Sequence, residues 1–325
     1  MADHSDLDVV TMGEAMVLLA ARQRGLLRHA RQFERYVAGA ESNTAIGLAR
    51  LGHAAGWIGR VGDDEFGACV EAEVRGAGVD VSQVVRDAEA PTGVFFKERR
   101  RPGHTRVHYY RSGSAASRLA PADVNSRYLR GAQYLHLTGI TPALSASCRE
   151  ATRAAVRVAR EAGVPVSVDP NVRRKLWPTM EEARAALFEL IAGAELVLTS
   201  AEEACLLAET DDLEEAARTL RGEGPSVVVV KQGADGAFAI GERDGEHERA
   251  HVPAVDTQAV ETIGAGDAFN AGFLSGQLRG WDLEASLRLG AVTGALATVV
   301  PGDVEGLPTW AEVQPYLSGE SVADR

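Results

Sequence analysis

The chain is poor in cysteine: Cys69, Cys148 and Cys205 are all it has in 325 residues. An odd, scattered set gives neither a disulfide framework nor metal-ligand spacing, which fits a reducing compartment. Long hydrophobic runs are also missing. The most apolar stretches, such as Val227–Val230, fall far short of the ~20 residues that span a bilayer. The first residues, Met1-Ala-Asp-His-Ser-Asp-Leu-Asp, carry no basic segment followed by an apolar one. A cytoplasmic protein is therefore expected. Positive charge is scarce, with 34 lysines and arginines against 46 aspartates and glutamates, a formal net charge of −12. Such a field repels nucleic acid and membrane surfaces, so neither is an expected partner, and an anionic ligand needs a local cationic site. Lysine occurs only at Lys97, Lys175 and Lys231, which reads as a bias of composition towards arginine.

What is present is globular in character. Hydrophobic residues make up 45% and charged residues 25%, enough apolar material for a sizeable core and too much for disorder. Short apolar runs alternate with helical stretches. Strands are expected at Asp8–Met12, Ala54–Ile58, Gln133–Leu137, Val164–Val168, Leu196–Leu198 and Ser226–Val230. Helices are expected at Ser42–Leu51, Glu65–Gly76, Ser145–Glu161, Met180–Ile191, Ala201–Leu207 and Leu213–Leu220, with Ser42 as a cap of the first. This alternation predicts an α/β fold with a mostly parallel central sheet covered on both faces, in which ligands sit beyond the carboxyl ends of the strands. Two stretches break the rhythm, at about 14–37 and 92–118. They read as short strands with polar connections, and predict a small β-sheet lid inserted into a single domain of residues 1–325. The apolar outer face of that lid suggests a homodimer or higher homo-oligomer. No internal repeat or long linker is visible, and residues 319–325 read as a mobile tail.

The sharpest local signal is Glu261-Thr-Ile-Gly-Ala-Gly-Asp-Ala-Phe-Asn-Ala-Gly. Gly264-Ala265-Gly266 leads into an apolar helix, expected at about 267–278. Glycines there let backbone N–H groups approach an anion, and the helix dipole adds to the attraction. Asp267 faces the same place. A carboxylate beside a phosphate is a poor binding group but a sensible base for an attacking hydroxyl. Alone, a Gly-x-Gly-Asp is more often a capped helix start.

Two further segments change that balance: Gly39-Ala-Glu-Ser-Asn43-Thr-Ala and Gly59-Arg-Val-Gly-Asp-Asp-Glu-Phe-Gly67. With Gly264–Asp267 they resemble, in order and spacing over essentially the whole chain, the signatures of the ribokinase-like (PfkB) sugar kinase family. The resemblance implies a ribokinase-like three-layer sandwich and ATP-dependent phosphorylation of a hydroxyl. It implies Asp267 as catalytic base, and the amides of Gly264, Ala265 and Gly266 as the anion hole. It places Lys231, Gly233 and Gly236 in the turn beneath the nucleotide, with Asn171, Arg173 and Ser200 beside it. Glu203 matches a glutamate that orders water around Mg²⁺, while Ser200 stands where the family usually has asparagine. Glu261 stands where many members carry an aspartate that helps bind a monovalent cation, which leaves potassium dependence open.

For the second substrate, Leu18 lies where ribokinase-type members carry a sugar-binding aspartate. Arg111 and Arg173 suit a planar carboxylate instead. Tyr109-Tyr-Arg111, Asp169-Pro-Asn-Val-Arg173-Arg-Lys-Leu-Trp177 and Gly302-Asp303-Val-Glu-Gly-Leu-Pro308 resemble the branch of the family that acts on 2-keto-3-deoxygluconate. That resemblance implies Gly39, Asn43, Phe95, Tyr109, Arg111, Arg173 and Asp303 as substrate contacts. Phe95 takes a place often held by tyrosine. Fructose, a related deoxy-ketogluconate or a nucleoside stay open as substrates, as does a non-catalytic sugar sensor.

Overall fold

The computed structural model describes residues 7–101, 104–243 and 246–318; the tail expected at 319–325 lies outside them. Thirteen strands are present among the described residues: β1 (Leu7–Met12), β2 (Met16–Ala21), β3 (Phe33–Ala38), β4 (Ala55–Gly62), β5 (Asp80–Asp87), β6 (Val94–Arg101), β7 (His104–Tyr110), β8 (Ala132–Thr138), β9 (Val166–Asp169), β10 (Leu196–Ser200), β11 (Val227–Lys231), β12 (Ala237–Arg243) and β13 (Glu246–Val252). Nine build one sheet in the order β13-β12-β11-β10-β9-β8-β1-β4-β5. The seven from β5 to β11 run parallel, and β12 and β13 add an antiparallel hairpin at one edge.

The apolar runs are continuous because both faces of this sheet are covered. Val9 and Val10 are neighbours in β1 and both fully buried, yet their side chains enter different cores. Val9 joins Leu198, Val229, Phe269 and Phe273, on the side of helices Ala40–Arg50 and Ala265–Leu278. Val10 joins Val197, Val228, Leu187 and Ala155, on the side of helices Ala146–Ala162 and Met180–Ala192. The two-residue period of a strand thus feeds two cores with one run of sequence.

The remaining four strands form a second sheet in the order β3-β2-β6-β7. Its central pair, β2 with β6, is parallel, and both outer pairs are antiparallel. The segment Gly59–Gly67 organises its root. Asp64 caps helix Glu65–Gly76 by accepting from Gly67 N at 2.7 Å, and also accepts from Thr92 N and Thr92 Oγ1 at 2.8 Å. A Cβ on Gly67 would lie 2.1 Å from the Gly62 carbonyl oxygen, so this signature is fixed by packing.

One expectation needs correction, two elements were not expected, and one expectation holds. Ser42 does not cap the first helix, which begins at Ala40 with Gly39 in the cap position. Ser42 is buried inside it and donates to the Gly39 carbonyl at 3.0 Å. Strand β5 and the β12–β13 hairpin had no counterpart in the sequence reading. Leu18 is buried among Met16, Ala38 and Phe95 and offers nothing to a ligand.

Candidate active site

A cavity of about 1030 Å³ opens between the carboxyl ends of the large sheet and the inner face of the small one. It is lined by every expected site residue, and the structure therefore brings together segments from one end of the chain to the other.

Helix Ala265–Leu278 starts at the floor of this cavity. Its cap, Gly264, has φ 82°, and a Cβ there would meet the Asp303 carbonyl oxygen at 2.7 Å. Only glycine fits that turn. A Cβ on Gly266 would have just Lys231 Nζ nearby, at 3.7 Å, so an ammonium stands beside the helix start. The Ala265 amide makes a long turn bond of 3.3 Å to the Thr262 carbonyl, while the Gly264 and Gly266 amides have no backbone partner among the described residues.

Asp267, in the first turn, accepts from Asn43 Nδ2 at 2.9 Å across 224 residues of sequence. Loss of water pushes its carboxyl up to about 7; Asn43 opposes this, the Asp169 carboxylate adds to it, and Lys231 and Arg173 oppose it. A carboxylate that releases its proton near neutrality can take one from a hydroxyl at that pH.

Behind Asp267 lies a network that the sequence did not announce. Lys231 Nζ, at the end of β11, donates to Asp169 Oδ2 at 2.8 Å and Asn270 Oδ1 at 3.0 Å. Asn270 Nδ2 donates back to Asp169 Oδ2 at 2.8 Å. Burial alone would raise Asp169, but Lys231 and Asn270 outweigh it and hold the carboxyl below its usual range. Asp169 Oδ1 accepts from the amide of Asn171, whose φ of 38° is a strained position that asparagine tolerates.

Glu203 has both oxygens engaged. One accepts from Val172 N at 2.6 Å, and the other from Ser200 Oγ at 2.9 Å in a capping box at helix Ala201–Ala208. Burial and the nearby Asp169 carboxylate raise its carboxyl. Serine in place of asparagine therefore keeps a structural bond to the glutamate. No three His, Cys, Asp or Glu side chains converge as a metal-holding group among the described residues.

At the far end, Gly233 and Gly236 have φ of 59° and 92°, and a Cβ on Gly236 would lie 2.1 Å from the Val252 carbonyl oxygen. With Val255, Ala291, Gly294 and Ala295 they form a slot of small apolar surfaces. Under the second sheet, Phe95 stacks on Tyr109 at 5.2 Å between ring centroids, and the Arg111 guanidinium lies 5.5 Å from the Tyr109 ring.

The two arginines differ. Arg111 is ion-paired with Glu14, a buried residue whose other oxygen accepts from Ser114 Oγ at 2.7 Å. Burial raises the Glu14 carboxyl, with Arg111 and Ser114 opposing. Arg173 is exposed in the cavity and makes no ion pair among the described residues, although its charge reaches Asp267. Sequence reasoning passed over Glu14, Glu41, Asn270 and Lys97. Of these only Glu14, directly after the first strand, and Glu41, inside Gly39–Asn43, carried a local signal. Glu41 is buried, accepts from Thr138 Oγ1 and Thr141 Oγ1 at 2.7 Å each, and fills the space a Cβ on Gly13 would need.

Comparison with known proteins agrees with this architecture. The model of the pfkB family carbohydrate kinases matches residues 6–310. A 2-dehydro-3-deoxygluconokinase of Bacillus subtilis is 39% identical over 97% of this chain and 96% of its own. One of Thermoproteus tenax is 38% identical over 96% of this chain and 94% of its own. The crystal structure of a fructokinase with bound ATP from Xylella fastidiosa superposes with a TM-score of 0.84 at 26% identity, covering 96% of this chain and 98% of that one. The chain belongs to the pfkB family of carbohydrate kinases.

Proposed function

We propose that the enzyme transfers the γ-phosphoryl group of ATP to the C6 hydroxyl of 2-keto-3-deoxygluconate, the compound also named 2-dehydro-3-deoxygluconate. The observation that carries the phosphoryl-transfer part is Asp267, a carboxylate titrating near 7 in the first turn of a glycine-capped helix. Its oxygen takes the hydroxyl proton as the sugar oxygen bonds to the γ-phosphorus and the bond to the leaving ADP breaks. The amides of Gly264 and Gly266 face the charge that develops, with the Ala265 amide bent towards Thr262 and the Lys231 ammonium beside them. The slot around Gly233, Gly236 and Ala295 suits the flat adenine, and Asn171 and Ser200 lie on the phosphate side. Mg²⁺, when bound, neutralises charge between the phosphates, and Glu203 would meet it through water because its oxygens are already bonded.

The sugar acid is supported by the names of the two relatives and by Arg173, whose planar fork is available for a carboxylate. Gly39, Asn43, Phe95, Tyr109, Arg111 and Asp303 line the sugar end. The Glu14–Arg111 pair favours a second reading, a neutral ketose such as fructose, since it leaves Arg111 with less charge to offer. On the outer face of the small sheet Phe33, Phe96 and Tyr110 stack in a row at 5.7 and 5.6 Å, and Tyr110 is 67% exposed. Two such faces packed together would make a homodimer, which light scattering at micromolar concentration tests; a stable, active monomer contradicts it.

Three outcomes are expected. Asp267→Asn should lower kcat by about 10²–10⁴ in a coupled ADP-release assay while nucleotide binding stays within a few-fold. The acid limb of kcat/KM should lie near pH 7, since the base works only when deprotonated. Asn43→Ala removes a donor that favours the charged form, so the limb should move to higher pH. Arg173→Ala should cut kcat/KM for the sugar acid by roughly 10–150-fold, the equivalent of a charge-assisted bond of about 1.5–3 kcal/mol. An analogue with the carboxylate reduced to an alcohol should bind weakly and be nearly insensitive to the same change. Equal losses for both compounds would sink the sugar-acid assignment and leave phosphoryl transfer standing.

A further inference from the structure

Lys97 sits on β6, on the inner side with Phe95 and Arg99, and is completely buried. An ammonium taken out of water must be held by opposite charge. Here Glu261 Oε1 lies 2.8 Å from Lys97 Nζ and Asp303 Oδ1 lies 3.7 Å from it. These carboxylates do not belong to the second sheet. Glu261 is three residues ahead of Gly264, and its backbone is pinned to the Thr298 carbonyl by a 3.0 Å bond. Asp303 presents its carbonyl oxygen against the bare face of Gly264, the contact that forces glycine there. The second Glu261 oxygen accepts from Arg99 Nη2 at 3.3 Å and Gly302 N at 3.4 Å. One ammonium on the second sheet is thus tied to both stretches of chain that shape the helix start.

We propose that Lys97 is a positioning residue for phosphoryl transfer, a built-in counter-cation that holds Glu261 and Asp303, and through them the turn at Gly264, with its amides facing the cleft. The contacts run from strand to turn, and of the two carboxylates only Asp303 also lines the cavity. Without the ammonium, Glu261 keeps only Arg99 as a cation and Asp303 loses its own, so the two carboxylates repel and the amides lose their aim before the protein loses its fold. The positive charge between these two carboxylates is thus supplied by the chain itself. This rests on the phosphoryl-transfer reading of the site and is independent of the sugar assigned to it.

The test is Lys97→Met, which removes the charge and keeps an unbranched stem. In tetramethylammonium chloride, ADP release should fall at least about tenfold in kcat, with KM for ATP within about threefold of wild type. In ammonium chloride of equal ionic strength the variant should recover much of its turnover, because a free ammonium fits where the Lys97 head was. Wild type should be indifferent to the exchange. The variant's melting temperature should also rise with ammonium and not with tetramethylammonium, a readout that needs no substrate. Wild type inactive on the sugar acid would count against that substrate alone. Wild-type turnover in the variant, an equal deficit in both salts, or a wild type that itself needs ammonium or potassium would each overturn the proposal. If Lys97→Met does not fold, the double variant Lys97→Met with Glu261→Gln removes one of the two facing charges and with it their repulsion. It should fold, remain slow and ignore ammonium; full turnover in it would equally overturn the proposal.

Discussion

The Lys231 ammonium joins Asp169 at the end of β9 to Asn270 on helix Ala265–Leu278, and much of the cleft depends on that junction. Buried charges are costly unless every partner is in place, and the Asn270 amide completes the set by donating to the same carboxylate. Because Asp169 is thereby kept ionised, its negative charge adds to desolvation in raising Asp267. The proton affinity of Asp267 is therefore set partly by a contact three residues along its own helix. Strand ends, helix and carboxyl form one electrostatic unit.

Much of the fold could be read from the residues because its signals are local. Two-sided burial makes runs such as Val227–Val230 continuous, and caps such as Ser145 and stops such as Gly163, with φ 71°, mark helix ends. The glycine turn was legible from its motif, although what requires glycine at Gly264, a positive φ against the Asp303 carbonyl oxygen, comes from a distant part of the chain. What escaped was either patternless or distant. Strand β5, Asp80–Asp87, is a half-exposed edge without alternation. Ser42 looked like a cap because capping residues favour helix starts, but the buried contact at Gly39, where a Cβ would lie 2.3 Å from the Glu14 carbonyl oxygen, moves the start three residues earlier. Contacts such as Asn43 to Asp267 or Lys97 to Glu261 leave no trace in local sequence.

A net charge of −12 makes the allotment of cations in the cleft informative. Lys97, Lys231 and Arg111 each stand against a buried carboxylate, while Arg173 is exposed and makes no ion pair among the described residues. Paired cations hold geometry, and their charge is largely spent within the protein. An exposed arginine keeps its field for what arrives from solution. Two groups that look alike in sequence, Arg111 and Arg173, thus differ in kind: one braces the second sheet against the turn after β1, and the other stands exposed in the cavity.

The hairpin that closes the large sheet leaves β13 as its outermost strand, with one row of backbone groups unpaired. Such a row is a template for any extended segment, including the same strand of another molecule. Here the strand reads Glu246-His-Glu-Arg-Ala-His-Val, and Arg249 and His251 are exposed while Ala250 and Val252 are buried. A second β13 laid alongside would have to seat the exposed Arg249 and His251 and would gain little from Ala250 and Val252, which already face the core. A polar outer strand of this kind discourages edge-to-edge growth of the sheet.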